Sequence, residues 1–455
     1  MRPVPHLLAV TFALLAASVT ARAETPSSGD DRRLSPAEQR EVVLGVAREV
    51  AARYVLPEVG QAMSARLQEK LGQGAYSSPT APADFAEQLQ RDLREVGHDR
   101  HLFVHYDPQE VKDLRAAGEA GADDPPSGAE LEKARRNNFG SRELRILEGN
   151  IGYFDLRDFE HPNLSAPKLT AAMAFLADCD AMIVDLRGNG GGWASTTAFL
   201  ASYFLPAGKG VRFTDFYDRA KDETSQSWTQ PHVPGRTLPR IPLFILVSSR
   251  TFSAAEEFAY NLKALGRATL VGEKTRGGAN NPATVVINDD FALWVPQGRP
   301  VNPVTKTNWE GTGVTPDVEA PEKQALDAAH GRALEQLLAA ATSESDRFRL
   351  RWALDGLEAR TRPMKPDLRA LQAFAGTYGA RRVLFEGGVL YSQPEDRPKQ
   401  ALLPVAQDLF GIDGREDQRL RFVKEGGRVT ALVVLTSDGT SRRLARTPDT
   451  PPGRR

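Results

Sequence analysis

The sequence of 455 residues predicts an α/β core, preceded by a helical module and followed by a small all-β domain. Three observations carry this expectation. From Asn150 to about Pro321 short apolar runs of strand type alternate with helix-period stretches, the pattern of an α/β core. Upstream, apolar residues recur with helical spacing. Downstream of Asp367, short strands succeed one another across Gly-containing turns. Composition agrees with a soluble globular chain: 41% hydrophobic and 26% charged residues exclude a wholly disordered, collagenous or multi-pass membrane protein. With 58 Lys+Arg against 59 Asp+Glu, no global field exists to hold nucleic acid or an acidic membrane surface. Cys179 is the single cysteine, which excludes an internal disulfide, a four-cysteine zinc site and a CxxC redox pair.

Taken in order, residues 1–23 carry Arg2, an apolar stretch from Leu7 to Val19 and Ala21-Arg22-Ala23, the order of a secretory signal cleaved after Ala23. The apolar stretch would cover only about two thirds of a bilayer core. The mature chain is therefore expected to be exported, periplasmic or secreted, without an integral membrane segment. Residues 24–97 read as the helical module. Ser35-Pro36-Ala37-Glu38 supplies a cap, a first-turn proline and a capping box, and the pattern runs to about Leu71. A second helix follows Ala83, with Phe85, Leu89, Leu93 and Val96 on one face. The chain turns extended from Leu102 to Tyr106, and the polar, aperiodic residues 115–140 predict a mobile loop acting as a lid or rim.

The core, residues 98–322, is expected to place strands at Ile151–Leu156, Ala181–Leu186, Ile241–Val247 and Ala268–Val271. Helices are expected around Pro167–Leu176, Ala194–Phe204 and Ser253–Leu265, with closing strands at Ala283–Ile287 and Phe291–Val295. A charged helix ending near Leu357 falls in a linker of residues 323–366. Residues 367–447 form the all-β domain, with strands at 383–385, 389–391, 420–423 and 429–435, and residues 448–455 a disordered tail.

Two strand ends carry the chemistry. Asp185-Leu186-Arg187-Gly188-Asn189-Gly190-Gly191-Gly192 runs from a buried strand into four glycines, which uncover backbone N–H groups able to face an anion or a developing oxyanion. The alternative is a tight strand-to-helix turn. Nucleotide binding fits worse, because Trp193 breaks the GxGxxG frame and Gly272-Glu273-Lys274-Thr275 lacks the Gly-Lys pair of a P-loop. In Thr251-Phe252-Ser253-Ala254-Ala255-Glu256, Ser253 opens a helix whose positive end favours an oxyanion. The same Ser253-x-x-Glu256 spacing is also a plain capping box. A nucleophilic serine needs a base, and His98, His101, His105 and Lys274 are candidates among which the pattern does not choose. A zinc reading of the three histidines fails because Gly97 and the extended run Leu102–Val104 deny them one helical face. Glu310 in Thr307-Asn308-Trp309-Glu310-Gly311 is the attractive orienting carboxylate, since its Trp neighbour implies partial burial, and Asp317 is its bland competitor.

These segments, DLRGNGGG, TFSAAEE, GEKTRGGA and NWEGTGVTPDV in this order, resemble the C-terminal processing (tail-specific) serine peptidase family. That family includes the tricorn core protease and the repeats of interphotoreceptor retinoid-binding protein. The resemblance covers about residues 35–322 and implies a crotonase-like core. It further implies Ser253 as nucleophile, with N–H groups of Ala254 and of a glycine in the 190–192 cluster, Gly190 or Gly191, as oxyanion donors. The tail-specific branch carries a lysine base where this chain has Gly278, and the span from His105 to Asn150 is too short for that branch's PDZ domain. The PDZ-less, tricorn-like branch uses Ser, His and Glu, and Asp99-Arg100-His101-Leu102 matches its histidine segment. His101 is then the implied base and Glu310 the acid that orients it. The all-β tail, beginning Phe374-Ala375-Gly376-Thr377-Tyr378, looks like a lipocalin-like appendage. The implied protein acts on peptide or protein substrates without metal or cofactor. Two alternatives are a catalytically silent member binding a peptide or apolar ligand in the same crevice, and a Ser253/Lys274 dyad.

Overall fold

A computed structural model describes residues 32–117, 128–365 and 367–448. The signal expected over residues 1–23 and the tail beyond Pro448 lie outside the described residues. The N-terminal module is three helices, Pro36–Arg53, Pro57–Gly72 and Pro82–Gly97. The single pattern expected from Pro36 to about Leu71 is two helices, because a residue preceding proline is pushed out of helical conformation and Pro57 restarts the chain at a first helical position. The capping box forms: Ser35 N–H donates to Glu38 Oε2 at 2.7 Å, and the Glu38 N–H to Ser35 Oγ at 3.3 Å. Phe85, Leu89 and Leu93 on the third helix are fully buried, each stabilising the module by ~2 kcal/mol. They share one core with Phe291, Leu293 and Val295, so the module is seated on a sheet of the central region.

The central sheet has six strands in the order Val318–Glu319, Thr269–Gly272, Leu243–Val247, Ala181–Asp185, Ile151–Leu156, Ser141–Leu147. All neighbours are parallel except the last pair. Side chains of alternate parity feed two cores, as the two-residue period of a strand requires. Met182, Val184 and Ile245 pack against the helices Pro162–Phe175, Ala194–Ala201 and Ala254–Ala264. Ile183, Phe244 and Leu246 pack against Ala325–Ala340 and Glu344–Thr361 on the other face. This three-layer arrangement buries both faces of the strands, which explains their unbroken apolar sequences.

A second sheet pairs Phe103–Tyr106, Phe291–Val301, Arg212–Asp218 and Glu223–Trp228 in that order, with Asn281–Val286 also on Phe291–Val301. The expectation of a loop over 115–140 is corrected: the stretch takes in the end of the helix Pro108–Ala117 and the whole of a second helix, Gly128–Arg136. The second lacks an apolar stripe but is supported by Glu132 pairing with Arg135 and Arg136, one turn away. The C-terminal domain is a short helix, Leu368–Phe374, and eight antiparallel strands paired in sequence order from Gly376–Tyr378 to Ser441–Ala445. A bridge between Tyr378 and Arg446 nearly closes the sheet into a barrel. Phe374 stacks on Phe422 inside it, ring centroids 4.3 Å apart. Among the described residues no helix is long and apolar enough to cross a membrane.

Candidate active site

The site forms where two adjacent parallel strands end. After Ala181–Asp185 the chain enters the glycine cluster, and after Leu243–Val247 it enters Ser248–Ser253. The loops are stitched together: Ser248 Oγ donates to Arg187 O at 2.7 Å, Thr251 Oγ1 to Leu186 O at 2.8 Å, and Phe252 N–H to Asn189 O at 3.1 Å. Ser253 caps the helix Ala254–Ala264 with φ 55° and ψ −124°, a left-handed conformation that strains a non-glycine residue by ~1–3 kcal/mol. Glu256, fully buried beneath it, holds that turn. Its carboxylate accepts from the N–H groups of Ser253 (2.9 Å), Gly277 (2.7 Å) and Gly278 (2.9 Å) and from Thr275 Oγ1 (2.5 Å). Glu256 thus does far more than cap a helix: it fastens the serine turn to the segment 275–278. Gly191 lies so close that a Cβ there would sit 2.7 Å from Ser253 Cβ. Half-buried Ser253 lines a cavity of about 210 Å³ with Gly192, Ala254, Glu257, Asn280 and Trp309.

Beside this cavity is a second cluster. Ligating atoms of Asp99, His101 and Glu310 all lie within 4.8 Å of one another. His101 follows the last helix of the N-terminal module, and its ring packs on Phe252, the residue before Ser253, with centroids 4.5 Å apart. Asp99 is saturated: it accepts from the His101 N–H (2.8 Å), Tyr54 OH (3.0 Å) and Asn280 Nδ2 (2.9 Å). Glu310 Oε2 accepts from the N–H groups of Ala279 (2.6 Å) and Asn280 (2.9 Å). Trp309 Nε1 donates to Gly278 O at 2.8 Å and anchors the segment that carries Glu310. Among the described residues, Glu310 Oε1 and His101 Nδ1 remain buried without partners. Burial, and after it the Asp99 charge, pushes the Glu310 carboxyl up to about 7 against the pull of its two amides. Burial lowers the His101 imidazole, Arg276 reinforcing this and Asp99 opposing it. No hydrogen bond joins the Ser253 hydroxyl to the His101 ring, and the link between them runs through Phe252.

The other candidates separate by position. His98 is exposed, in left-handed conformation after the helix Pro82–Gly97, and His105 faces Glu110 at 3.3 Å from the strand Phe103–Tyr106. Lys274 is exposed and does not line the Ser253 cavity, because its neighbours Thr275 and Gly277 are the ones turned toward Glu256. Asp317 pairs with Lys263 at 2.8 Å and accepts from Leu270 N–H, a turn-fixing role. In the glycine cluster, Gly191 N–H is committed to Asn189 Oδ1 at 2.8 Å, so it is no spare donor, whereas the amides of Gly190, Gly192 and Ala254 make no hydrogen bond among the described residues. A metal would find few open ligands at Asp99, His101 and Glu310: with Asp99 and Glu310 Oε2 occupied as acceptors, one carboxylate oxygen and the imidazole remain. Asp99, Glu256 and Asn280 are absent from the residues that sequence reasoning assigns to the site, although Glu256 left a signal there in its spacing from Ser253 and Asp99 in the segment around His101.

The fold and site therefore define an α/β protein with a strained, helix-capping serine beside a buried Asp–His–Glu cluster. Residues 150–320 match the model of peptidase family S41, and residues 36–139 match the N-terminal domain of Peptidase_S41 in eukaryotic IRBP. The chain belongs to peptidase family S41. It is 31% identical over 170 residues to carboxyl-terminal-processing peptidase 1, chloroplastic, of Arabidopsis thaliana, covering 37% of this chain and 33% of that protein. To the tricorn protease of Thermoplasma volcanium it is 27% identical over 204 residues, covering 42% of this chain and 18% of that one. The chain thus spans about a third or less of the length of these curated relatives. Among solved structures, the photosystem II D1 C-terminal processing protease aligns with a TM-score of 0.42 and 17% identity, covering 63% of this chain and 94% of that one.

Proposed function

We propose that this chain is an exported serine peptidase that hydrolyses peptide bonds through an acyl-enzyme on Ser253. The observation that carries the reading is the pair of orphaned atoms behind the imidazole, His101 Nδ1 and Glu310 Oε1. A buried polar atom left unpaired costs ~1–3 kcal/mol, so both atoms gain by meeting, with Nδ1–H donating to Oε1. That bond would fix the tautomer and leave Nε2 as the basic nitrogen. Nε2 takes the Ser253 proton as Oγ attacks the scissile carbonyl carbon, then delivers it to the leaving amine as the C–N bond breaks. Glu310 stabilises the imidazolium in between. The Ala254 N–H at the helix start and an amide of the Gly190–Gly192 turn hold the tetrahedral oxyanion. Water then enters by the same base and releases the acyl group. Hydrogen bonds of this kind often align only with substrate in place, which accounts for the unjoined serine and imidazole. Asp99 is a positioning residue, fixing the backbone of His101.

On this reading residues 98–322 are a crotonase-like peptidase core behind the helical module 24–97, residues 323–366 a linker, residues 367–447 a lipocalin-like domain, and residues 1–23 a signal removed on export. The test compares wild type with Ser253→Ala on a peptide library and with a serine-directed phosphonate probe. Turnover and labelling are expected in wild type and absent in the variant. Equal turnover by both proteins would end the proposal.

A further inference from the structure

The C-terminal barrel holds a concentration of positive charge that the peptidase reading leaves unused. One mouth of the barrel opens into a cavity of about 320 Å³ lined by Arg381, Arg397, Arg415 and Arg442, together with Glu395 and Gln400. These residues come from distant parts of the sheet. Arg381 begins the strand Arg381–Glu386, Arg397 follows Val389–Pro394, Arg415 begins Arg415–Glu425, and Arg442 lies on Ser441–Ala445. The barrel's near-closure between Tyr378 and Arg446 is what brings the first and last of these strands around one opening.

Three of the four guanidiniums have no ion-pair partner among the described residues. Arg381 is half-buried, and its Nη1 donates to the hydroxyl of fully buried Ser392 at 2.6 Å, a neutral partner that orients the fork without cancelling its charge. Arg381, Arg397 and Arg442 form no ion pair among the described residues, and only Arg415 has a carboxylate, Asp417, at 2.9 and 3.0 Å. Burial, then the charges of Arg442, Arg415 and Arg397, press on the Arg381 guanidinium and lower its proton affinity. Four cations against Asp417 and the rim residue Glu395 leave two positive charges uncompensated. Like charges gathered in a partly enclosed site destabilise the fold unless a counter-charge enters. The fork geometry of arginine suits the oxygens of phosphate, and a volume near 300 Å³ is at the small end of ligand sites.

We infer that this mouth is a receptor for a phosphate monoester, a group whose charge near −2 at neutral pH balances the excess and whose oxygens match the converging guanidiniums. The group could arrive on a small soluble ester or on a lipid headgroup, and the two sources share this chemistry. The inference does not depend on Ser253.

Isothermal titration of the full chain with glycerol phosphate, and flotation with phosphatidylcholine vesicles with or without phosphatidate, test it. Arg381→Gln and Arg442→Gln are each expected to weaken binding about tenfold to a hundredfold, the loss of one charge-assisted contact. Arg442→Gln, which removes no ion pair among the described residues, should leave the melting temperature without ligand unchanged or raised, because a repulsive charge is removed, so its lost binding cannot be mistaken for unfolding. Glycerol phosphate should raise the melting temperature of wild type and not of the double variant. Binding of the soluble ester assigns a free ligand, and flotation on phosphatidate alone assigns a lipid. Failure of wild type to bind either probe, or equal binding by the double variant, would overturn the inference.

Discussion

Glu310 should set the pH at which Ser253 becomes active. Its carboxyl stands at about 7 instead of 4.5 because burial, then the Asp99 charge, disfavours ionisation. That is ~3 kcal/mol of preference for the protonated form, at 1.36 kcal/mol per pH unit. A protonated Glu310 cannot stabilise an imidazolium. Activity should therefore be low while the carboxyl holds its proton and rise as pH climbs through about 7. One pH unit below that midpoint about a tenth of the carboxyl is ionised, and kcat/KM should stand near a tenth of its plateau. The imidazole does not account for this limb, since burial pushes His101 below its ordinary 6.5 and its own titration lies at lower pH. The assay is kcat/KM of the full chain from about pH 5 to 9 on a fluorogenic peptide that wild type cleaves, run beside Glu310→Gln. The variant should lose about a hundredfold or more, by analogy with carboxylate-to-amide changes in serine triads, together with the limb near neutrality. A Glu310→Gln profile that keeps the same rising limb would refute the assignment.

Three further outcomes follow from the packing. Gly278→Ala places a Cβ 2.2 Å from Phe252 Cε2 and 3.0 Å from His101 Cε1, so the rings must shift. It should cost ~1–3 kcal/mol in urea denaturation and at least about tenfold in kcat/KM, and an unaffected enzyme would show that the stack is not needed. Glu256→Ala strands four donors and should cost about 3 kcal/mol or more, measured by the same denaturation. Glu257, buried with Thr214 donating to it at 2.6 Å, is pushed up to about 7 by burial. Between the unfolded value of 4.5 and about 7 the folded state alone keeps this proton, so stability falls as pH rises through that window, by ~3 kcal/mol. Glu257→Gln should remove that part of the slope in urea midpoints taken at pH values on either side.

The parallel strands were legible because burial on both faces makes them plain apolar runs: Ile151–Leu156 was expected at its observed bounds, and the next three within two residues. Ser141–Leu147, at the edge of the central sheet, and Glu223–Trp228 are mostly exposed, and their polar residues hid them. The helix Gly128–Arg136 was missed because charge pairs one turn apart support it in place of an apolar stripe. The serine and glycine turns stood out by composition. The three histidines did not separate by pattern, since what distinguishes His101 is burial against Phe252 and proximity to Glu310, both set by tertiary contacts. Asp99 stood in the segment around His101 without a role, for a related reason: an acid two residues before a histidine means nothing until Tyr54 and Asn280 converge on it.

The crowding around residue 278 bears on which substitutions this chain can accept. The Phe252 phenyl and His101 imidazole already fill the room that a side chain at 278 would occupy. Any residue larger than glycine there must displace one ring or the other. A tolerated exchange at 278 therefore requires a compensating change at its aromatic neighbours, and single substitutions should be harder to accept than paired ones.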